Sequence, residues 1–453
     1  MMTSTIKIIE GDSNTSGGRG NWEAHGASKA GRDLLGRDER VFIHQTLSTP
    51  CLDSIIGAEG SCLIDADGRR ILDFHGNSCH QVGYGNPHVL ARVQEAMKEL
   101  PFSPRRFTNR FAVELAERLV DLAPGTLRGN SRVLLLPSGA AAVGLAVRIA
   151  KAVTGRDETL SFVDAFHGAT TEAASLGGQE LFVSGFGSTQ TGSRRVPPPA
   201  SSACQRCANG LCNADCAAAI EQILESQTIA ALVAEPVRAT SVHVPPNDFW
   251  KRIREACTRT GTLLVFDEIP TGLGRSGAWW ACERFGVEPD VLVIGKGLGG
   301  ALIPQAAVIA RAEYNEHGTT PLSSRAIGHF THEKSPLGAA AACAVLDIME
   351  QESLPQRAHS LGTSWAETLR EELSRVAPIR EIRQFGLMLA IVVGGDQAEQ
   401  YADAWLYEAL RRGLSFKIGG SRSLVLFPPL TITKEELDCA TSILREAGTA
   451  CYA

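Results

Sequence analysis

The chain has 453 residues, of which 44% are hydrophobic and 21% charged, a composition typical of a folded globular protein and not of a disordered, collagen-like or coiled-coil chain. Lys and Arg number 44 and Asp and Glu number 50, so the formal net charge is −6 and nucleic acid is not an expected partner. The sequence has no apolar run of about 18 residues and no apolar leader near its start, which predicts a cytoplasmic protein without a membrane partner.

The first predicted elements are two short strands around the Asp67-Gly68 turn of SCLIDADGRRILDF. We assign this hairpin, and residues 1–80 as a whole, to a segment that contributes to the smaller of two domains.

Between about residues 132 and 310, short runs of Val, Leu and Ile alternate with helical patterns. Runs that are apolar at consecutive positions predict strands buried on both faces, and therefore a mostly parallel sheet with helices between its strands. The predicted strands are 132–137, 158–166, 229–237, 262–269, 290–297 and 304–310, and the clearest predicted helices are 139–153 and 248–261. We assign residues 81–335 to this large α/β domain.

The last part of the chain has a different pattern. Helical periodicity at 338–350 and 362–376 precedes the strand-like segments FGLMLAIVVGG and SLVLFPPLTIT. This order predicts a second, smaller α+β domain over residues 336–453.

Polar residues follow several of the predicted strands, at the edge where α/β sheets bind ligands. Lys296 comes directly after the strand VLVI and lies among glycines, where a lysine of lowered pKa can form a Schiff base with an aldehyde. A surface lysine in a glycine-rich loop is the alternative. Asp267 ends the strand LLVFD and is suited to pair with a cationic ring nitrogen, although a helix N-cap or a Ca²⁺ ligand would use the same residue type.

Two further strand ends have features of a phosphate and ring site. Ser138, Gly139 and Ala140 open a helix whose first N–H groups can hold a phosphate. Phe166 and His167 follow another strand, and the flat ring of Phe166 can lie on a cofactor or simply pack in the core. The phosphate cradle, aromatic ring, carboxylate and lysine occur in the order that a pyridoxal phosphate site needs.

With these motifs the chain resembles the class III aminotransferases, a fold-type I family of pyridoxal phosphate enzymes with an aspartate aminotransferase-like fold. The matching strings are SGAAA, FHG, AEPV, FDEIPTGLGRSG and GKGLGGA, and the resemblance runs from about residue 57 to the C-terminus. It implies an α/β large domain with a seven-stranded, mostly parallel sheet and a smaller α+β domain.

The resemblance also implies roles for individual residues. Lys296 would bind pyridoxal 5'-phosphate covalently, Asp267 would bind its ring nitrogen, and Thr331 would reach the phosphate of the neighbouring subunit in a homodimer with shared active sites. The remaining implied cofactor contacts are Ser138, Gly139, Ala140, Phe166, His167, Glu235 and Ile269.

The chain departs from the family pattern at two positions that bear on the substrate. Pro270 stands where typical members have a glutamine near the cofactor oxygen. Val425 precedes FPPL where they have an arginine that commonly binds a carboxylate. Ordinary exchange between amino acids and keto acids is therefore not the expected reaction.

The strings HGNSCHQVGYGNP, LPFSPRRFTN and HFTHEKSPLGAAAA are most similar to one branch of the family, the ammonia-lyases of (R)-1-hydroxy-2-aminoethylphosphonate. We expect a lyase that removes the hydroxyl group by elimination and yields phosphonoacetaldehyde and ammonia, with Lys296 as the base. The alternatives are an ω-aminotransferase that acts on a primary amine and, with Lys296 and Asp267 intact, the less favoured case of a non-catalytic cofactor-binding protein.

A phosphonate dianion needs clustered cations. The candidates are Arg105, Arg106, Lys334 and His80, and a solvated pair of surface arginines is the alternative.

The chain has 12 cysteines, too few for a disulfide scaffold at this length. Four of them, Cys204, Cys207, Cys212 and Cys216, lie within 13 residues in the spacing C-x₂-C-x₄-C-x₃-C and could hold a structural zinc ion. An iron–sulfur cluster and reduced thiols in a polar loop are the alternatives.

Overall fold

A computed structural model of the chain describes residues 16–187, 192–199, 215–316 and 321–452. Its helices are α1 Arg19–His25, α2 Arg32–Val41, α3 Pro87–Glu99, α4 Arg110–Leu122, α5 Gly139–Thr154, α6 Thr171–Leu176, α7 Asp215–Leu224, α8 Phe249–Thr260, α9 Ala281–Phe285, α10 Pro336–Gln351, α11 Leu354–Leu373, α12 Ala398–Arg411 and α13 Lys434–Tyr452. Its strands are β1 Ile55–Glu59, β2 Cys62–Asp65, β3 Arg70–Asp73, β4 Ser131–Leu136, β5 Glu158–Phe162, β6 Ser193–Val196, β7 Ile229–Ala234, β8 Leu263–Asp267, β9 Val291–Ile294, β10 Ala306–Arg311, β11 Ile379–Phe385, β12 Met388–Val393, β13 Leu414–Ser415, β14 Lys417–Gly419 and β15 Ser423–Leu426.

The chain divides into two compact units. The larger unit comprises Pro87–Ala239 and His243–Ser353. The smaller one comprises the described residues up to Asn86, Thr240–Val242 and those from Leu354 onward.

The larger unit is built on a seven-stranded sheet in the order β4-β10-β9-β8-β7-β5-β6. Strand β10 is antiparallel to both of its neighbours, β4 and β9, and the pairs from β9 to β6 are all parallel. Strands β7, β8 and β9 are buried along their whole length, as their continuous apolar runs predict. The predicted fold-type I architecture, with a mostly parallel seven-stranded sheet, is confirmed.

Helix α5 forms the core of this unit with one face of the sheet. Its buried side chains, among them Val143 and Leu145, pack against Val233, Val265 and Val293 from three adjacent strands. The helix is rich in alanine, which has the highest helix propensity, and it begins after Ser138 in extended conformation. Packing of α5 on the sheet holds the start of the helix at the end of β4.

The smaller unit contains two four-stranded sheets. The β2–β3 hairpin, with Gly68 at positive φ in its turn, belongs to the sheet β1-β2-β3-β13, and the other sheet has the order β11-β12-β15-β14 with antiparallel pairs. Phe74 and Trp365 meet edge to face with ring centroids 5.6 Å apart, so the N-terminal and C-terminal parts of the chain share a core.

Some element predictions differ from the structure. The predicted strand 158–166 ends at Phe162, because the chain turns after this residue and Phe166 lies in a loop. Strand β6 and helix α1 were not predicted, because their short polar sequences lack a strong apolar period. No helix among the described residues has the length and apolar character needed to cross a membrane.

The end of α5 provides a test of the local backbone. Gly155 has φ +68° and donates its N–H to the carbonyl oxygen of Lys151 at 2.9 Å, and a Cβ atom added to it would contact nothing within 4 Å. We expect Gly155→Ala to lower the free energy of unfolding by about 1 kcal/mol, because only the left-handed backbone penalises the new side chain. Urea unfolding of the variant measures this. Gly155→Asn is the matched control and should lose less, and equal losses would contradict the explanation.

Candidate active site

The carboxyl ends of the parallel strands define one edge of the large sheet. Strand β10 runs opposite to both β4 and β9, so β4 has the same direction as the parallel strands. The residues predicted to bind the cofactor at strand ends therefore follow strands that end at this edge. They are Ser138 after β4, Phe166 and His167 after β5, Glu235 after β7, Asp267 at the end of β8 and Lys296 after β9.

A buried hydrogen bond joins two of these strand ends. His167 Nδ1 lies 2.7 Å from Asp267 Oδ2, and the two residues are 3% and 1% exposed. Asp267 Oδ1 accepts a second hydrogen bond from the backbone N–H of Ile269 at 3.0 Å. With Nδ1 of His167 as the donor, the carboxylate of Asp267 is held in one orientation away from water.

Ile269 lies between the loop after β4 and the loop after β9. A Cβ atom on Gly139 would lie 2.8 Å from Ile269 Cδ1, and one on Gly295 would lie 3.5 Å from Ile269 Cγ1. Gly295 directly precedes Lys296 in the chain. The start of α5, the loop after Asp267 and the loop after β9 thus converge on one side chain.

The loop after β5 approaches the start of α5 just as closely. Gly168 has φ +120°, and a Cβ atom there would overlap Ala140. Only glycine permits both this backbone and this contact. The ring of Phe166 packs on Phe182, with centroids 4.7 Å apart.

Lys296 has an unusual backbone. It begins the 3₁₀ turn Lys296–Gly299 with φ +48°, in the left-handed region, and its side chain is half-buried. This conformation costs an L-residue other than glycine about 1–2 kcal/mol, so the surrounding structure must impose it. Backbone strain of this kind, at a lysine that follows a buried strand, supports a functional role for Lys296.

Glu235 has a partner that the sequence did not suggest. Its Oε1 accepts a short hydrogen bond from Arg238, and its Oε2 accepts one from the N–H of Ala239 at 2.9 Å. Arg238 also donates to the carbonyl oxygen of Asp164, and both charged side chains are at least nine-tenths buried. The pair lines a pocket with His243 and Trp250. The available signal was an arginine inside an otherwise apolar run, because buried charges need partners.

Glu268 is a buried carboxyl group beside Asp267. It accepts hydrogen bonds from the N–H groups of Ala281 at 2.6 Å and Cys282 at 2.8 Å, at the start of α9. Burial raises the pKa of Glu268 to about 7, although these two backbone bonds act in the opposite direction. The carboxyl group therefore ties the loop after Asp267 to α9.

The predicted substrate residues of the larger unit lie in two adjoining loops. Arg105 donates a short hydrogen bond to His329 Nδ1, and Asn109 Nδ2 donates to the carbonyl oxygen of Lys334 at 3.1 Å. Arg106 and Thr331 are exposed. The structure thus brings Arg105 and the 329–334 segment together.

His80 lies in the smaller unit. It is fully buried, its Nε2 lies 2.8 Å from the carbonyl oxygen of Asp73, and its ring stacks on Tyr84. These contacts give the imidazole a structural role within its unit.

The two departures from the family pattern are both buried. Pro270 lies next to the Asp267 loop, and Val425 is 1% exposed on β15. Each position therefore has an apolar side chain inside its unit.

The zinc prediction falls largely outside the described residues. Cys204, Cys207 and Cys212 are not among them, and Cys216 is buried on α7. In the parts of the chain that the structure covers, no group of three or more His, Cys, Asp or Glu side chains is arranged to hold a metal ion.

This fold and this strand edge are those of a known class of enzymes. The profile of the family aminotransferase class-III matches residues 47–447, and the chain belongs to this family. It is 40% identical over 459 aligned positions to (R)-1-hydroxy-2-aminoethylphosphonate ammonia-lyase of Vibrio splendidus, covering 97% of this chain and 94% of the relative. It is 32% identical to a 5-aminovalerate aminotransferase of Pseudomonas aeruginosa, covering 86% and 92% of the two chains.

Solved structures agree with the family assignment. An amine transaminase from an uncultivated Pseudomonas species, in its PLP-bound form, superimposes with a TM-score of 0.82 at 30% identity, covering 91% of this chain and 99% of the other.

Glu268 predicts a pH dependence of stability. Its pKa rises from 4.5 to about 7 on folding, so the folded chain binds one proton more than the unfolded chain between these values. Protonation of Glu268 raises the free energy of unfolding by on the order of 3 kcal/mol below pH 4.5, and this stabilisation is lost as the pH rises through 7. The unfolding free energy of the wild type should therefore fall more steeply between about pH 5 and 8 than that of Glu268→Gln. Parallel slopes in urea titrations of the two proteins would contradict this assignment.

Proposed function

We propose that this protein is a pyridoxal phosphate-dependent ammonia-lyase that converts 1-hydroxy-2-aminoethylphosphonate to phosphonoacetaldehyde and ammonia. The observation that carries the proposal is the 40% identity to the Vibrio splendidus lyase over 97% of the chain, against 32% for the aminotransferase relative. The apolar residues at positions 270 and 425 support it, because each replaces a polar group typical of aminotransferases of the family.

The residues at the strand edge fit the functional groups of the cofactor. The first N–H groups of α5 suit a phosphate, and the buried carboxylate of Asp267 suits a protonated ring nitrogen. Glycines at 139 and 168 allow the start of α5 to lie close to Ile269 and to the loop after β5. Phe166 and Ile269 would contact the ring, and Lys296 would bind the aldehyde. His167 would hold Asp267 in place through their hydrogen bond, and Glu235 would lie beside this group at the end of β7.

When bound, pyridoxal phosphate supplies an electron sink for the carbon next to the amino group. The carboxylate of Asp267, oriented by His167, would face the ring nitrogen. The amine of Lys296, once free of the aldehyde, would take the proton from the substrate carbon that bears nitrogen, and the hydroxyl group would leave from the adjacent carbon with its bonding electrons. The enamine that results gains water and loses ammonia, which balances the reaction to the aldehyde.

A substrate phosphonate requires cations. Arg105, Arg106 and Lys334 are proposed for this role, whereas His80 is fully buried within the smaller unit and is not retained. Thr331 is proposed to reach the cofactor phosphate of a neighbouring subunit in a homodimer.

The second candidate function is that of an ω-aminotransferase acting on a primary amine. Relatives named as aminotransferases favour it, because their alignments cover at least 85% of this chain.

The two functions differ in their need for a second substrate. Purified protein loaded with pyridoxal phosphate should release ammonia and phosphonoacetaldehyde from (R)-1-hydroxy-2-aminoethylphosphonate with no keto acid present. Coupled assays of both products measure the reaction, and 2-aminoethylphosphonate, which lacks the hydroxyl leaving group, is the control substrate. Turnover that depends strictly on pyruvate or 2-oxoglutarate would contradict the lyase and support the aminotransferase.

The role of Asp267 is tested by Asp267→Asn. The neutral amide cannot stabilise a protonated ring nitrogen, so we expect kcat to fall by about 100-fold or more. Asp248→Asn, at an exposed position before α8, is the control and should keep wild-type kcat. If Asp267→Asn binds the cofactor to the same extent and keeps kcat within a few-fold, the assignment is wrong.

A further inference from the structure

A group of basic side chains lies where two loops of the larger unit meet. We define the cationic corner as Arg105, Arg106, His329, His332 and Lys334. The first two follow α3, and the other three precede α10.

Specific contacts hold the two loops together. The Arg105 guanidinium donates to His329 Nδ1, and the rings of Phe102 and His332 meet edge to face with centroids 5.3 Å apart. Asn109 is 6% exposed, donates to the carbonyl oxygen of Lys334 and caps α4 by accepting from the N–H of Ala112 at 3.0 Å. The corner is therefore a defined arrangement of side chains.

The charges of the corner are not compensated by acidic side chains. Among the described residues, no carboxylate lies within 4.0 Å of the cationic nitrogen atoms of Arg105, Arg106 or Lys334. Segments 101–109 and 325–335 contain one acidic residue, Glu333, whose carboxylate accepts from the N–H of Phe330 at 3.5 Å. In a chain of net charge −6, a local excess of cations of this kind favours an anionic ligand.

Exposed apolar side chains flank the corner. Phe102 and Phe107 are 41% and 66% exposed in the same loop, and Met97 on α3 and Val113 on α4 are 55% and 42% exposed. Ion pairs between Arg92 and Glu114 and between Arg110 and Glu95 join α3 to α4, so these side chains belong to one rigid framework. Apolar side chains exposed in this number are typical of a surface that another protein copy covers.

We propose that Arg105 of one subunit, positioned by His329, binds the phosphonate group of the substrate in the active site of the neighbouring subunit. This inference rests on the proposed function and on the proposed role of Thr331, which lies two residues after His329 on the same loop. A guanidinium group binds a phosphonate through two parallel hydrogen bonds, and the bond to His329 fixes its orientation. Arg105 is thus the specificity-determining residue among the candidate cations, and His329 is a positioning residue.

Steady-state kinetics test the residue assignment. Arg105→Ala should raise KM for the hydroxyphosphonate by about 10- to 100-fold with a smaller change in kcat, because the lost contact binds a group remote from the reacting carbon. His329→Ala should raise KM several-fold, and His329→Gln, which keeps an acceptor, should restore it. Arg132→Ala, at an exposed position on β4, is the control. Unchanged KM in Arg105→Ala would overturn the proposal.

Subunit complementation tests the location of Arg105. Heterodimers of one Arg105→Ala and one Lys296→Ala subunit, isolated with two different affinity tags, contain one complete site only if Arg105 acts on the neighbouring subunit. We expect about half of the wild-type activity per dimer at a substrate concentration well below the KM of Arg105→Ala, because one site in two is intact. Activity no higher than that of the Arg105→Ala homodimer, or a monomeric wild type in light scattering, would overturn the proposal.

The wild type is assayed first, so that failure of the proposed function is distinguished from failure of this inference. If the wild type acts only as an aminotransferase, the same variants and heterodimers are assayed with the amine and keto acid that it uses. An effect of Arg105→Ala confined to anionic amines would then support an anion site without the lyase reaction. An equal effect on neutral amines would contradict the anion site.

Discussion

The site depends on the buried hydrogen bond between His167 and Asp267. A buried carboxylate at the carboxyl end of a parallel strand is unfavourable unless hydrogen-bond donors surround it. His167 and the N–H of Ile269 are those donors for Asp267. Ile269, held in this way, packs against Gly139 at the start of α5 and against Gly295 before Lys296. One carboxylate therefore sets the positions of the loops that would hold the phosphate and the aldehyde of the cofactor.

Buried and exposed parts of the chain differ in how their charges are paired. Positions 270 and 425 are apolar and buried within their units, whereas Arg238 and Glu235 form an ion pair beside a pocket at the strand edge. On the loops that include Arg105 and Lys334, by contrast, the cations have no carboxylate partner among the described residues. In the proposed function the cofactor supplies most of the chemistry, so charges of this kind would select the substrate.

The sequence predicted the sheet well because its strands are buried on both faces. Continuous apolar runs such as that of β8 allow few other structures, and the polar residue that follows such a run must lie at the sheet edge, as Asp267 does. The pairing of Arg105 with His329 joins residues 224 positions apart, and the sequence pattern contains no signal for it. Arg238 was also missed, although its partner Glu235 lies only three residues before it, and its second partner, the carbonyl oxygen of Asp164, is 74 positions away. The zinc prediction depends on residues that the structure does not describe.

The proposed function requires that Lys296 bind pyridoxal phosphate covalently. Treatment of the loaded protein with borohydride reduces such a link to a stable bond, and peptide mapping by mass spectrometry then locates it. We expect a single phosphopyridoxyl group on the peptide that contains Lys296, and its loss in Lys296→Ala. A stoichiometric adduct on a different lysine, or no adduct after loading, would show that Lys296 does not have this role.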